Sequence, residues 1–573
     1  MAHLSPVLSA VLLNRGITDP SALDCSLARL LPHHDLPGIE AAAACLAAAI
    51  MRGDSILIVG DFDADGATAT ALCLRALRAF GAARVEFTLP DRQRHGYGLS
   101  AAVLADWLAE GNAPPGLILT VDNGIAAFDG VRAAKALGAT VVITDHHLPG
   151  ETLPAADAIV NPNLVGSTFA SSALAGVGVA FYVLAAVREA LTAAGWFQQR
   201  PRPNLAQWLD LVAVGTVADV VPLDDNNRRL VAQGLARIRA MQASPGVLAL
   251  FAVAGKDPRL ARSGDLGFVV GPRLNAAGRL EHMRQGVECL LCDDPARAHQ
   301  LARALDEVNQ ARRAIEQDML ERLPIPATGM AERPTNPQDW VVFDPSFHHG
   351  VIGIVAGRLK DRWQRPVFVF APENAEEPQG WLKASGRSIG GVHLRDVLVE
   401  MATRAPGLIA QFGGHAMAAG LRLRHDQLAA FRAEFAAVLA PKLAGFPESA
   451  TVWSDGALPA EAFSLAFAES LVDALPWGAD CPEPVFDGVF EVLNTTPLKD
   501  GAHLKLTVQP LFPVGQGSAS RGVGGVSALP AIWFGVGADA PPGNYWRIAY
   551  RLNLNHFRGQ TQLQLVVVTA QPA

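Results

Sequence analysis

The stretch ILIVGDFDADGATATALCL, residues 56–74, constrains the fold more than any other part of the chain. Its opening run of Ile, Leu, Ile and Val suits a strand buried on both faces, as in parallel sheets. Asp61, Asp63 and Asp65 follow at alternate positions, and Gly66 then leads into an alanine-rich helical run. Strand, acidic turn and helix make half of a βαβ unit. Three carboxylates this close repel one another, so the turn requires something that neutralises them.

The same pattern recurs downstream. VEFTL (85–89), LILTV (117–121) and VVIT (141–144) alternate with alanine-rich helical segments, which predicts a parallel sheet between residues 51 and about 165. LILTV ends in Asp122-Asn123-Gly124 and VVIT ends in Asp145-His146-His147. Ligands of open parallel sheets bind outside the carboxyl ends of the strands, so three strands bring acids and imidazoles to one edge. A fourth acid, Asp219, closes WLDLVAVGTVAD (208–219), which is too apolar for a surface helix.

Other readings of DFDADG explain less. A calcium loop of the EF-hand type needs an acid at its twelfth position, and counting from Asp61 that position is Leu72. DADGA resembles a haloacid-dehalogenase phosphatase loop, with Asp63 as nucleophile and Asp65 as acid. That chemistry also wants a lysine, only Lys135 precedes Lys256, and the later acids stay unexplained. A solvated acidic turn accounts for one strand end but not for three. Aspartates with one or two histidines and no thiolate suit Mn²⁺, with Mg²⁺ next. Four or five acids exceed the need of one ion. Two ions about 3.5–4 Å apart share them, and such pairs stabilise the attacking and leaving oxygens of an in-line displacement at phosphorus. Hydrolysis of a phosphoryl bond is the first expectation.

At 573 residues the chain exceeds one core, so several domains are expected. A net charge of −8 excludes a globally basic nucleic-acid binder but leaves room for a local basic channel. Of the 47 basic residues 40 are Arg, whose forks suit phosphates. The six cysteines show no framework spacing, which points to a reducing cytoplasm, and the lone CxxC of Cys289 and Cys292 is weak evidence for zinc. The N-terminus lacks the basic region of a signal peptide. LAGVGVAFYVLAAV (174–187) is too short and glycine-rich to span a bilayer and reads as a buried helix. Residues 1–50 read as short helices broken by Pro and Gly, and 170–320 as helical, with the long charged helix 293–323 connecting domains. GMAERPTNPQD (329–339) is a linker by composition, and a second α/β unit runs from WVVFD (340–344) through PVFVF (366–370) to about residue 449. Period-two alternation with Gly-rich turns such as VGQGSASRGVGG (514–525) predicts an antiparallel β-barrel over 450–573.

DFDADG, DNG, DHH and TVAD, in that order, resemble the motif series of the DHH phosphoesterase superfamily. ASGRS (384–388) and GGHAMAAG (413–420) look like its companion DHHA1 domain. GPRLNAAGRL (271–280), SFHHGVIGIVAGRLKDRW (346–363) and PWGADCPEPVFDG (476–488) narrow the resemblance to its single-stranded-DNA-specific 5′→3′ exonucleases. The resemblance implies an α/β multidomain fold. An N-terminal helical segment (1–50) would precede a parallel-sheet DHH domain (51–292) and a connecting helix (293–328). An α/β DHHA1 domain (329–449) and an antiparallel OB-type barrel (450–573) would follow. It implies two Mn²⁺ ions held by Asp63, Asp65, Asp122, His146 and Asp219, with Asp61 and His147 as catalytic residues beside them, supporting the ligands or at the attacking water. Many relatives carry a His four residues before the second acid of the first motif, where this chain has Val59.

DRQRHGYGL (91–99) follows VEFTL at the same sheet edge, and its Arg92 can fork onto a phosphate. Ser385, Gly386 and Arg387 combine a hydroxyl, open backbone and a guanidinium, a good small-anion site, and Gly413-Gly414-His415 can do the same with backbone N–H groups and an imidazole. The resemblance makes Arg92, Ser385, Arg387 and Gly414 holders of a 5′-terminal phosphate, with His415 nearby. It places Arg273, Asn275, Arg279 and His349 on the strand or the scissile phosphate. His348 reads as structural more readily than as functional. In the barrel, Trp533, Phe534, Tyr545, Trp546, Tyr550 and Phe557 divide between core and base stacking, with Lys505 and Arg558 as charge. The expected activity is release of nucleoside 5′-monophosphates from single-stranded DNA in repair and recombination, with a single-strand-binding protein and a helicase as partners and no membrane. The alternatives are a phosphoesterase on short oligonucleotides or cyclic dinucleotides, and a non-catalytic single-strand-binding protein.

Overall fold

In the computed structural model the apolar runs become the centre of a parallel five-stranded sheet. Its strands are β1 (Ser55–Val59), β2 (Arg84–Thr88), β3 (Leu117–Val121), β4 (Thr140–Thr144) and β5 (Ala158–Val160), in the order β2-β1-β3-β4-β5. The structure describes residues 4–92, 94–323, 334–446, 451–498, 502–514, 518–520, 526–536, 540–557 and 559–573. Arg558, the first five residues of the 329–339 linker and most of the Gly-rich 514–525 stretch lie outside them, as does the side chain of Phe557. The chain divides into two units, Met1–Gln310 with Ser470–Glu483, and Ala311–Glu469 with Pro484–Ala573.

In the first unit, β1 pairs with β2 on one side and β3 on the other, all in parallel. Strand order therefore reverses between β1 and β3, which opens a crevice at their carboxyl ends. That crevice is where DFDADG and DNG emerge. Val59 is fully buried in the apolar cluster on one face of the sheet, with Leu57, Leu99, Val103, Ile118 and Ile143, so its side chain belongs to the core. Helix Ala64–Ala79 leaves the acidic turn with nearly every residue buried. Helix Gly176–Ala193 is long and apolar enough for a membrane span, yet 67% of it is buried in this unit, among the small side chains of Ile39–Arg52 and Ala64–Ala79. The N-terminal segment is helix Pro6–Asn14, three 3₁₀ turns and helix Ile39–Arg52. Residues 470–483 dock here too: Leu223 N–H donates to Ala479 O at 2.8 Å and Ser263 Oγ to Trp477 O at 2.6 Å.

The chain passes into the second unit within helix Pro295–Glu321. A mixed sheet follows, with β6 (Val341–Phe343), β7 (Val367–Pro372), β8 (Trp381–Arg387), β9 (Gln411–Gly414) and β10 (Ala418–Arg424) in the order β6-β7-β8-β10-β9. Only β6 and β7 are parallel. ASGRS, a loop-like motif in sequence, lies mostly within β8, which alternates buried and half-buried residues. The last strands are β11 (Phe486–Leu498), β12 (His503–Val514), β13 (Ser518–Ser520), β14 (Leu529–Phe534), β15 (Tyr545–Phe557) and β16 (Gln560–Pro572). Their order is β11-β15-β16-β14-β12-β13, and a further β11–β12 pairing closes the ring into a barrel. The β14–β16 pair is parallel, a departure from the all-antiparallel expectation. Trp533, Trp546 and Tyr550 are buried, whereas Phe534, Tyr545 and Lys505 are exposed.

Candidate metal centre

The acids of β1 and β3 meet at the reversal point. Asp63 is the N-cap of helix Ala64–Ala79, and its Oδ1 accepts from Gly66 N–H at 3.0 Å. Asp65, in the first turn of that helix, points at the start of helix Gly176–Ala193: Oδ2 accepts from Gly176 N–H at 2.6 Å and Oδ1 from Val177 N–H at 3.0 Å. Those amides and the helix dipole favour its charge. Asp122 leaves β3 in the left-handed region, φ 62°. Gly176 makes room for it, because a Cβ there would lie 2.5 Å from Asp122 Cβ. Gly215 does the same for Asp65. Asp219 arrives as the C-cap of helix Leu209–Ala218.

His146 binds the set together. Its Nε2 lies 3.1 Å from Asp122 Oδ1, 3.5 Å from Asp219 Oδ2 and 3.9 Å from Asp65 Oδ2. His147 Nδ1 is 2.7 Å from Asp145 Oδ1, which also accepts from the backbone N–H of both histidines. Tyr97 donates to Asp122 O at 2.7 Å, and its oxygen is 3.2 Å from His147 Nε2. The DHH turn is tied down from behind by Asn161 and Asn163, which donate to the carbonyls of His147 and His146.

Charge is unbalanced here. Burial, and then the repulsion of Asp63, pushes Asp65 up to about 7 and Asp61 well above the usual carboxylate range. Burial followed by Asp65 and Asp63 does the same to Asp122 and Asp219. Burial and then His147 lower His146 to about 4, so it is a neutral imidazole with a lone pair to give. Burial opposes charge on His147, but its hydrogen bond and ion pair with Asp145 outweigh that and raise its pKa. Among the described residues Asp61 Oδ1, Asp122 Oδ1 and His146 Nε2 are buried without a hydrogen-bond partner. Buried acceptors left bare are costly, and a cation satisfies them all. Donor atoms lie within 4.8 Å of one another in three overlapping sets: Asp61, Asp63 and Asp122; Asp65, His146 and Asp219; Asp122, His146 and His147. Sets that share Asp122 and His146 fit adjacent divalent ions. The oxygen-rich donors with imidazole fit Mn²⁺ or Mg²⁺.

The other predicted residues fall into three groups. Arg92 lies over the Phe62 ring at 4.0 Å, and its Nε donates to Gly278 O at 3.2 Å, which places it against the DFDADG turn. Asn275 Oδ1 accepts from Ala64 N–H at 2.8 Å, so its amide oxygen anchors the start of the acidic helix. Arg273 is buried, donating to Val269 O and pairing with Asp306 at 2.8 Å, which commits its guanidinium to the helix junction. Arg279 is half-buried on the same helix, Gly271–Leu280. The rest lie in the second unit. Arg387 Nη1 donates to Ser385 Oγ at 2.9 Å. Gly353, in the first turn of helix Ile352–Trp363, sits directly over them, since a Cβ there would be 3.1 Å from Ser385 Oγ and 3.2 Å from Arg387 Nη2. Sheet register puts Ser385 beside Gly420 and Gly420 beside Gly413, with Gly414 at φ 145° and His415 N–H donating to Ala418 O. His349 stacks on His348, centroids 5.1 Å apart, just before that helix. Tyr97, Asn161 and Asn163 are the contributors that motif reading passed over. NPN directly after a short apolar run, AIV, is the one local signal that marked the last two.

This fold and cluster define a metal-dependent phosphoesterase core of the DHH type. The model of the DHH family N-terminal domain matches residues 55–216, that of the DHHA1 domain 338–440 and that of the RecJ OB domain 454–569. The single-stranded-DNA-specific exonuclease RecJ of Dickeya dadantii is 47% identical over 98% of this chain and 96% of its own, and that of Escherichia coli is 45% identical over 100% and 96%. A crystal structure of Thermus thermophilus RecJ in complex with Mn²⁺ superposes with a TM-score of 0.78 at 30% identity, covering 99% of this chain and 76% of that one. The chain belongs to the RecJ family.

Proposed function

We propose that this chain is a single-stranded-DNA-specific 5′→3′ exonuclease that hydrolyses phosphodiester bonds and releases nucleoside 5′-monophosphates. The convergence of Asp65, Asp122, Asp219 and His146 on one buried point, with three polar atoms left bare, carries the reading. The RecJ relatives, named for that activity, support it. Asp63, Asp65, Asp122, His146 and Asp219 would hold two divalent ions, Mn²⁺ by preference. When bound, such ions supply an activated water near neutral pH and stabilise the oxygens of an in-line displacement. The chain's own residues do the rest. Asp61 adds charge beside the cluster. Asp145 fixes the ring of His147 and raises its affinity for a proton, which suits His147 to hold a proton and pass it to a leaving 3′-oxygen. Tyr97 holds the Asp122 backbone and His147 together. In the second unit Ser385, Arg387 and Gly414 offer a hydroxyl, a guanidinium and open backbone to a terminal phosphate, which gives a physical reason for end-dependence and polarity.

The exposed Phe534 and Tyr545 of the barrel serve as stacking surfaces for single-stranded bases. A single-strand-binding protein and a helicase would present the substrate, in the cytoplasm where the chromosome lies. Asp122→Ala tests the reading. With excess Mn²⁺ and 5′-phosphorylated single-stranded DNA, release of mononucleotides should fall by at least about a thousandfold, the scale expected when an electrostatic catalytic group is lost. A wild-type rate in that variant overturns the assignment.

A further inference from the structure

Immediately after Asp219 the backbone of Val220 takes φ 61°, and the residue is 70% exposed. A left-handed residue just past a helix end is usually Gly, and a β-branched side chain is the least tolerated there. The hydrogen bond that the conformation permits, Val220 N–H to Val217 O at 3.2 Å, is one that Gly would make equally well. Folding therefore gives no reason for Val at this position, and an exposed apolar group gains nothing from water. Strain held in this way is a mark of sites where a side chain must be presented.

A second exposed apolar side chain accompanies it. Leu266–Val270 forms a π-helical turn, a distortion frequent at functional sites, and it presents Phe268 at 81% exposure. This turn packs on the end of the helix that carries Asp219. A Cβ on Gly267 would come within 3.3 Å of Val217 Cγ1, and one on Gly271 within 3.1 Å of Ala218 Cβ. The turn also frees Val269 O to accept from Arg273 Nη1 at 2.7 Å, and Arg273 in turn is held by Asp306. Phe268 is thus carried on a braced support while its ring faces outward. Val220 and Phe268 are borne by two elements that touch, one residue and one turn away from a member of the metal cluster.

We infer that Val220 and Phe268 form an apolar ledge that seats the base of the 5′-terminal nucleotide, the one whose 3′-oxygen leaves at the metal centre. Every base has an apolar face, so such a ledge grips any sequence, and a ring stacked on it fixes the nucleotide without base-specific hydrogen bonds. The inference rests on the exonuclease reading above. It explains why apolar groups are displayed beside a cluster of charge, where polar side chains would be the ordinary choice.

The test compares two 5′-phosphorylated oligonucleotides, one with an ordinary terminal nucleotide and one whose terminal residue is abasic, under single-turnover conditions in Mn²⁺. Wild type should cleave the ordinary end about tenfold faster, the scale of one base stacked on an aromatic ring. Phe268→Ala and Val220→Gly should bring that ratio close to one and leave Mn²⁺ affinity within about twofold. Val220→Gly should melt no lower than wild type, because the strain goes with the side chain. A variant that loses rate equally on both ends, or a wild-type ratio of one, overturns the ledge. Absence of turnover by wild type on both oligonucleotides overturns the exonuclease reading instead and takes the ledge with it. Phe268 is exposed enough that its truncation leaves the fold intact, so the ratio is readable even if the glycine variant folds poorly.

Discussion

The residues of the cluster owe their properties to neighbours far away in sequence. Asp65 is drawn inward by the amides of Gly176 and Val177, and Asp122 fits only because position 176 has no side chain. The acids themselves were legible, since three strand ends carried them in adjacent motifs. Tyr97 was not, because its value lies in a hydrogen bond to Asp122 O that no local pattern announces. Arg273 and Asn275 show the same limit. Their residue types suit phosphate, and the structure adds what motif spacing could not show: Arg273 pairs with Asp306, and Asn275 Oδ1 accepts from Ala64 N–H. Val59, a departure from the family pattern, is core. Arg387 gives a prediction at this scale. It is half-buried and bonded to Ser385, and Arg387→Ala should reduce the preference for 5′-phosphorylated over 5′-hydroxyl ends about tenfold or more, the worth of a charge-assisted hydrogen bond. The melting temperature should change little. Rates on the two substrates, with a thermal melt beside them, check both halves, and an unchanged preference refutes the role.

At the scale of elements, the site is a consequence of strand order. β1 lies between β2 and β3, so the chain must turn opposite ways from its neighbours, and the loops part where the carboxylates stand. The four longer strands could be read from their apolar runs. β5 is only three residues and escaped, as did the π-helical turn, whose periodicity differs from an α-helix by too little to see in five residues. Strands β8 to β10 were read as motifs rather than strands because glycines interrupt their alternation. Helix Gly271–Leu280 supports the acidic turn through Asn275. Asn275→Ala removes the acceptor for Ala64 N–H and should cost about 1 kcal/mol of stability. It should also weaken Mn²⁺ binding roughly tenfold, as loss of an outer support does in other metal sites. Calorimetric titration together with denaturant unfolding tests this, and unchanged metal affinity would show that the helix merely packs.

Across the whole molecule, the net charge of −8 concealed local arrangements of opposite sign, an acidic cluster in the first unit and the Arg387 guanidinium beside Ser385 in the second. Composition alone excluded little, and the order of motifs gave the organisation. The acidic cluster makes metal and proton competitors. Asp61, Asp65, Asp122 and Asp219 all have raised pKa values, so the metal-free protein gains stability from them below about pH 4, the unfolded carboxylate value. It loses that stability as pH rises through the folded values, about 7 for Asp65. His146, lowered to about 4, acts in the opposite sense between there and pH 6.5, but four carboxylates outnumber it. The rise in melting temperature caused by Mn²⁺ should therefore grow between about pH 5 and pH 8, and binding near pH 7 should release protons. Melts with and without the ion, and titrations in buffers of different ionisation enthalpy, measure both, and a stabilisation by Mn²⁺ that is independent of pH contradicts the charge assignment.

The most direct measurement is anomalous diffraction at the manganese edge from crystals grown with Mn²⁺. Two peaks about 3.5–4 Å apart are predicted, bounded by Asp63, Asp65, Asp122, His146 and Asp219. An empty cluster at saturating metal, or ions bound only elsewhere on the chain, would contradict the account.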